Sequence, residues 1–108
     1  ETTDLETGTA ITTFRMPYGF TLTDLRASVT TAPTGSPLIV DVNRNGATII
    51  NTKLSIDDGE KTSTTAAVPC DITTSVFADD DEITIDVDAR GSTVAGSGLK
   101  LTFIGVQT

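Results

Sequence analysis

Hydrophobic and polar residues alternate with a period of two along most of the chain, and no sustained period of 3.6 residues interrupts them. The clearest segment is "PLIVDVNRNGATIIN", in which Leu38, Val40 and Val42 share one face of an extended strand. Asn45 and Gly46 then supply two residues that tolerate a positive φ angle. This pattern predicts a strand, a two-residue turn and a returning strand.

The segment before this hairpin, "FTLTDLRASVTT" at residues 20–31, changes phase part of the way along. Apolar residues occupy even positions up to Leu22 and odd positions from Leu25 onwards. Because side chains alternate along a strand, one extra residue is needed to keep both groups on the same face. We therefore predict a β-bulge near Thr23-Asp24, or a bend that carries the strand from one sheet to another.

Five further stretches show similar alternation, and Gly, Pro or Asp residues separate them. They are "GTAITTFRMP", "KLSID", "AAVPCDI", "EITIDVDA" and "GLKLTFIGV". Several short strands with this punctuation are typical of an antiparallel β-sandwich or barrel. We predict an all-β fold of about eight strands in a single domain over residues 9–108. A polar arm or linker remnant at residues 1–8 precedes it.

The composition argues against several classes of function. The net charge of −8 opposes binding to nucleic acid, which depends on neutralising phosphates with Lys and Arg, and it equally opposes an anionic membrane surface. The chain contains no His and one Cys, so neither a Ser-His-Asp nor a Cys-His arrangement can form within it. Cys70 alternates with Val68 and Ile72, which predicts a buried, unreactive thiol. We expect a protein that is not an enzyme.

An acidic stretch, "DDDEITIDVDAR" at residues 79–90, is the main candidate for chemistry. Asp79, Asp80 and Asp81 are predicted to lie in a loop, and the strand after them alternates apolar and acidic residues. Three interpretations follow: a solvated loop and strand face, a calcium site built from the three loop carboxylates, or paired acids for hydrolysis. We favour the first, because the spacing lacks the EF-hand pattern and no base, nucleophile or cofactor motif can be named. Calcium is thus the one cofactor considered.

Two other loops contain candidate contact residues, and a third is rich in glycine. Tyr18 lies between a proline and a glycine, and an aromatic at such a turn is suited either to capping the core edge or to contacting a sugar. Arg44 and Asn45 occupy the predicted hairpin tip, where a partner could contact them. The glycine-rich residues 91–98 are interpreted as a flexible connection, because a strand follows them rather than the helix N-terminus that a phosphate site needs.

Four stretches together resemble a family of small domains in virion proteins of tailed bacteriophages. They are "TTFRMPYGFTLTDLRASVTTAPTGSPLIVDVNRNG", "TKLSIDDGEKTS", "ADDDEITIDVD" and "GSGLKLTFIG". The resemblance runs from about residue 11 to residue 105 and consists of ordinary β-sandwich residues in a recurring order. It implies a jelly-roll-like sandwich on the virion surface, as a tail-fibre or receptor-binding tip, a head fibre or a capsid decoration protein. It implies no catalytic residues.

We expect the domain to be a homotrimer, because closed symmetry would bury one face of a small sandwich. Candidate interface residues are apolar residues with polar neighbours on faces otherwise expected to be wet: Ile39, Ile50, Ile104 and Val106. Other virion proteins and a host-surface glycan are the further expected partners. The alternative is a carbohydrate-binding module of a larger extracellular protein, stabilised by calcium, with Tyr18 as its contact residue.

Overall fold

The strands form two antiparallel sheets and a separate short pair. The computed structural model describes Leu5 and residues 7–107, without the side chains of residues 9–11. Its strands are β1 (Gly8–Arg15), β2 (Phe20–Ser28), β3 (Leu38–Arg44), β4 (Ala47–Thr48), β5 (Ile50–Thr52), β6 (Leu54–Ile56), β7 (Asp71–Ile72), β8 (Val76–Phe77), β9 (Glu82–Ala89) and β10 (Lys100–Gln107). The predicted all-β class is confirmed. The described strands number ten rather than about eight, because five of them have only two or three residues.

The two sheets pack face to face as a sandwich. The larger has the order β1-β9-β3-β4, with β6 also paired to β3, and the smaller has the order β10-β2-β8. Strands β1, β2 and β3 alternate between the sheets, as do β8, β9 and β10. Strand β1 is an edge strand of the larger sheet, and β10 is an edge strand of the smaller sheet. The predicted antiparallel β-sandwich is confirmed.

The core lies between the two sheets. It is built from the apolar residues of each strand that point toward the other sheet. Leu38, Val40 and Val42 are 0% exposed, as their shared face predicts. The alternation predicted for β9 is also confirmed, because its apolar residues are buried while the acids between them are partly or fully exposed. The other buried apolar residues of the long strands are Leu22, Leu25, Ala27, Ile83, Ile85 and Val87.

The predicted hairpin turn is confirmed. Asn45 and Gly46 have φ angles of 51° and 88°, and the residues that flank them, Arg44 and Ala47, pair across the turn. Both central residues of this turn therefore lie in the left-handed region, which Asn and Gly tolerate better than other residues.

The predicted bulge in β2 is confirmed as well. Leu22 pairs with Gly105 and Asp24 pairs with Ile104, so Thr23 is the extra residue of β2. The hydroxyl of Thr23 donates to the Ile104 carbonyl at 3.1 Å. The bulge restores the inward orientation of the apolar residues that follow it, while β10 itself runs without an extra residue.

Ile50 does not lie on an outer face. The chain bends at Ile49, where the Thr48 hydroxyl donates to the Asp41 carboxylate at 2.6 Å and accepts from the Ile50 N–H at 3.3 Å. The Ile49 N–H donates to the Val42 carbonyl at 3.0 Å. This bend breaks the alternation, so both isoleucines are buried and Ile50 is 2% exposed. The prediction that Ile50 belongs to an oligomer interface is therefore wrong.

The glycine-rich residues 91–98 pack against the loop at residues 30–36 instead of forming a free connection. The Thr34 N–H donates to the Val94 carbonyl and the Thr93 N–H donates to the Thr34 carbonyl, both at 2.9 Å. At the other end, the Thr30 N–H donates to the Ser97 carbonyl at 2.9 Å. The structure therefore does not support the interpretation of this segment as a flexible connection.

The stretch "AAVPCDI" forms a strand only at its end, in β7. The Ala67 N–H donates to the Asp57 carboxylate at 2.9 Å rather than to a sheet, and Val68 is 61% exposed. Cys70 is half-buried against the core, and desolvation raises the pKa of its thiol to about 11. The raised pKa agrees with the expected unreactive thiol, but Cys70 is half-buried rather than buried as predicted.

Candidate binding surfaces

Three loops meet at one end of the sandwich, and they contain all the loop residues singled out above as candidate contacts or calcium ligands. The Met16 N–H donates to the Asp81 carbonyl at 3.0 Å and the Asp80 N–H donates to the Met16 carbonyl at 2.8 Å. The Asn45 N–H donates to the Glu82 carbonyl at 2.8 Å. We call residues 15–19, 44–47 and 78–82 the end surface. It holds Tyr18, Arg44, Asn45, Asp79, Asp80 and Asp81.

Asp81 connects the three-residue acidic loop to the hairpin tip. Its Oδ2 accepts from the Ala78 N–H at 2.8 Å and its Oδ1 accepts from the Asn45 side-chain amide at 3.0 Å. The Asn45 amide oxygen in turn accepts from the Glu82 N–H at 2.9 Å. A guanidinium nitrogen of Arg44 lies 3.8 Å from Asp81 Oδ2. The carboxylate is therefore used to join two loops.

The acids of the end surface do not converge on a cation site. Asp80 is exposed and lies 3.7 Å from the guanidinium of Arg15, which also lies 3.8 Å from Glu82. Within the part of the chain that the structure describes, no three His, Cys, Asp or Glu side chains are grouped so that they could hold a metal ion. The geometry does not support the calcium site considered for Asp79, Asp80 and Asp81.

Hydrogen bonds lower the pKa of Asp81. The largest cause is the Ala78 N–H, followed by the Asn45 amide, while partial burial acts in the opposite direction. A carboxyl group whose pKa is lower in the folded state stabilises the fold at pH values above its ordinary value of 3.8. That stabilisation is lost as the pH falls through the lower, folded-state pKa.

We expect Asp81→Asn to lower the melting temperature at neutral pH, because the amide has one acceptor oxygen, so its NH2 group must face either the Ala78 N–H or the Asn45 side-chain amide. The difference from the wild-type protein should shrink as the pH falls from 3.8 through the lower, folded-state pKa of Asp81. Thermal unfolding followed by circular dichroism over this pH range measures it. Asp79→Asn, at an exposed acid in the same loop, is the matched control and should change little. If the difference in melting temperature between the wild-type protein and Asp81→Asn did not vary with pH, the role given to the Asp81 carboxylate would be wrong.

The candidate contact residues of the end surface differ in how far they are engaged within the domain. A guanidinium nitrogen of Arg44 donates to the Val76 carbonyl at 2.7 Å, and Asn45 bonds to Asp81 and Glu82 as described. Tyr18 is 41% exposed, and its ring lies 6.4 Å from that of Phe20. Arg44 and Asn45 therefore have roles in holding loops together. Contact between this surface and a partner stays a prediction.

A second surface lies where β1 and β10 form adjacent edges of the two sheets. The rings of Phe14 and Phe103 meet edge to face, with centroids 5.7 Å apart. Between the strands is an open groove of about 430 Å³. The Leu5 N–H donates to the Gly96 carbonyl at 2.9 Å, which places Leu5 at the groove. We call β1, β10 and this groove the side surface; its apolar lining is Leu5, Phe14, Ile85, Leu99, Leu101 and Phe103.

Strand β10 has apolar residues on both of its faces, although Lys100 and Thr102 share the outer face with them. Leu101 and Phe103 point inward and are half-buried against the core. Ile104 and Val106 point outward, and Val106 is 60% exposed. Val106 pairs with Thr21 of β2, and Thr21 pairs on its other side with Val76 of β8, which is also 60% exposed. Two of the four predicted interface residues therefore lie together on this strand.

Ile39 lies on the outer face of the larger sheet, away from β10. It lines a shallow hollow of about 500 Å³ that also includes Pro37, Ala67 and the exposed Val68. Ile39 and the β10 residues therefore belong to different surfaces. The sequence did not single out Val68 and Val76 as surface residues, because both lie in irregular or very short elements. For β10, the run "LTFIGV" with apolar residues at both odd and even positions indicated apolar side chains on both faces.

Comparison with known proteins gives no further identification: no family model, curated protein or solved structure matches this chain. Nor does any helix among the described residues have the length and apolar character needed to cross a membrane.

Proposed function

We propose that this domain is a non-catalytic structural and adhesive module on the surface of a tailed-bacteriophage particle, and that it assembles as a homotrimer. The β-sandwich fold is the one that the sequence resemblance implies, and this agreement supports the proposal. The position on the particle rests on the resemblance alone. Self-assembly rests on the surface of the domain.

The observation that carries self-assembly is strand β10. It has eight residues, pairs only with β2 among the described strands, and carries the exposed Val106 and the half-buried Ile104 on its outer face. Apolar residues on both faces of a strand are typical of a strand that is covered on both faces. Long apolar edge strands also invite pairing with other chains unless they are protected. Both properties favour a β10 that is buried in an assembly.

We expect Val106→Asp to dissociate the homotrimer, because it introduces a charge where the assembly buries an apolar side chain. The measurement is mass by light scattering on a sizing column. The mass should fall from about three times 11.2 kDa to one chain. The exposed position of Val106 makes it a safer site than the half-buried Ile104, where the same substitution also risks damaging the fold.

Val68→Asp is the matched control. Val68 is 61% exposed against 60% for Val106, but it lies in the hollow beside Ile39. It should leave the assembly intact. If both variants keep the wild-type mass, β10 is not in the interface. If only Val68→Asp dissociates the protein, the interface is at the Ile39 hollow.

A further inference from the structure

We infer that the side surface faces the three-fold axis, with β10 of one copy lying against β1 of the next, so that neighbouring copies cover the groove. This inference rests on the proposed homotrimer. It adds which two edges meet and what occupies the groove. Three observations support it: the lengths of the edge strands, their position on one side of the domain, and the distribution of carboxylates.

The first observation concerns the edges of the two sheets. The edge strands opposite β1 and β10, namely β4, β6 and β8, have two or three residues each. Short edges are one of the ways in which proteins prevent unwanted pairing. By contrast, β1 and β10 have eight residues each, and neither has a second neighbour among the described strands. Their outer N–H and C=O groups are the main backbone groups available to another chain.

The second observation is that these two edges lie side by side. The contact between Phe14 and Phe103 and the groove between the strands put both edges on one side of the sandwich. A closed ring of three copies needs two different surfaces on each copy, one for each neighbour. Adjacent but distinct edges meet this requirement. Surfaces on opposite faces, such as β10 and the Ile39 hollow, favour an open chain of copies instead.

The third observation identifies the occupant as a second copy. The chain has a net charge of −8, so two copies repel each other over most of their surface. The other strands of seven or more residues all contain carboxylates, such as Asp24 in β2, Asp41 in β3 and Asp86 in β9. Strands β1 and β10 contain none, and their only charged residues are Arg15 and Lys100. An equally acidic copy meets the least repulsion at this side.

The two charged residues of β1 and β10, Arg15 and Lys100, lie at opposite ends of the side surface. Arg15 ends β1 beside the acidic loop, where it pairs with Asp80 and Glu82. Lys100 begins β10 and pairs with Ser28, the last residue of β2, at the opposite end of the sandwich. Between them lie the two phenylalanines and the groove. A contact between the central residues of β1 and β10 therefore buries no charged side chain of these two strands, and burying a charge is costly.

Cross-linking between two singly substituted proteins tests this arrangement. One protein carries Thr13→Cys on β1 and the other carries Thr102→Cys on β10; both positions are exposed. Both also carry Cys70→Ser, which removes the native thiol. The proteins are unfolded together, refolded and treated with a short bis-maleimide. Because each chain has one thiol, every cross-link joins two chains.

We expect covalent dimers in the refolded mixture and none in either protein alone. Labelling with a single maleimide shows that both thiols react. A matched mixture of Thr102→Cys with Thr64→Cys, at an exposed position in the 3₁₀ turn, should give no cross-link.

Other outcomes separate this inference from the proposed function. Covalent dimers from Thr102→Cys alone would show β10 pairing with β10 and overturn the inference. A protein of trimeric mass that gives no cross-link in the mixture would also overturn it, while leaving the homotrimer in place. A monomeric mass for the protein before treatment would overturn both.

Discussion

Replacing Phe77 with alanine is expected to lower the free energy of unfolding by about 4 kcal/mol. Phe77 is 1% exposed although it lies in a strand of only two residues. Its ring meets that of Phe103 at a centroid distance of 6.4 Å and an angle of 61°. Removing it leaves a cavity beneath β2 and takes an aromatic partner from the inner face of β10. For a domain of this size the remaining stability would be small.

Urea denaturation followed by circular dichroism measures this effect. Val76→Ala is the control, because Val76 is the other residue of β8 and is 60% exposed. It should change the free energy of unfolding by less than about 0.5 kcal/mol. Equal effects of the two substitutions would contradict the assignment of Phe77 to the core. Both substitutions are made in a protein that also carries Val106→Asp, so that dissociation of the assembly does not contribute to the free energy of unfolding.

Replacing Gly91 with alanine is expected to cost about 3 kcal/mol, although it adds a single methyl group. The added Cβ would lie 1.9 Å from the Val94 carbonyl oxygen and 2.8 Å from the Thr34 nitrogen. Those two atoms are the ends of one hydrogen bond, 2.9 Å long, between the loops at residues 30–36 and 91–98. The methyl group would therefore separate the two loops and leave this bond unmade. Neither of the atoms belongs to a flexible side chain that could move aside.

Gly59→Ala separates crowding from backbone strain. Gly59 has a φ angle of 77°, but no atom lies within 4 Å of the position its Cβ would occupy. The strain of a left-handed alanine there should cost about 1 kcal/mol. If Gly91→Ala were no more destabilising than Gly59→Ala, the close packing of the two loops would be wrong. Urea denaturation of both variants decides this.

The predictions from sequence that proved correct depend on local chemistry. The turn at Asn45-Gly46 follows from two residues that accept a positive φ angle, and both adopt one. The bulge at Thr23 follows from a change of parity that a strand with one buried face cannot otherwise absorb. The alternation of β9 follows from a strand with one face in water. Each of these signals is complete within about ten residues.

The predictions that failed depend on contacts with distant residues. Ile50 is buried because the Thr48 hydroxyl and the Asp41 carboxylate hold a bend at Ile49, which a pattern of apolar residues does not reveal. The glycine-rich segment is packed because it meets a loop some sixty residues earlier in the chain, at Thr34. Such pairings are set by the fold as a whole. A periodicity argument cannot supply them.

The candidate surfaces were also predictable only in part. Tyr18, Arg44 and the acidic loop were singled out separately, and the sandwich brings them to one end. Charge alone suggested a cation at the acidic loop, whereas the structure shows that Asp81 accepts from Ala78 and Asn45. The apolar run of β10 was visible in the sequence, but its place at an edge beside β1 required the order of the strands.

The absolute mass of the wild-type protein in solution tests the central claim most directly. Light scattering on a sizing column should give about three times 11.2 kDa if the apolar side surface is closed by copies of the chain. A mass of one chain over a wide range of protein concentrations would contradict the account, because the apolar residues on the outer face of β10 would then have no second copy to cover them.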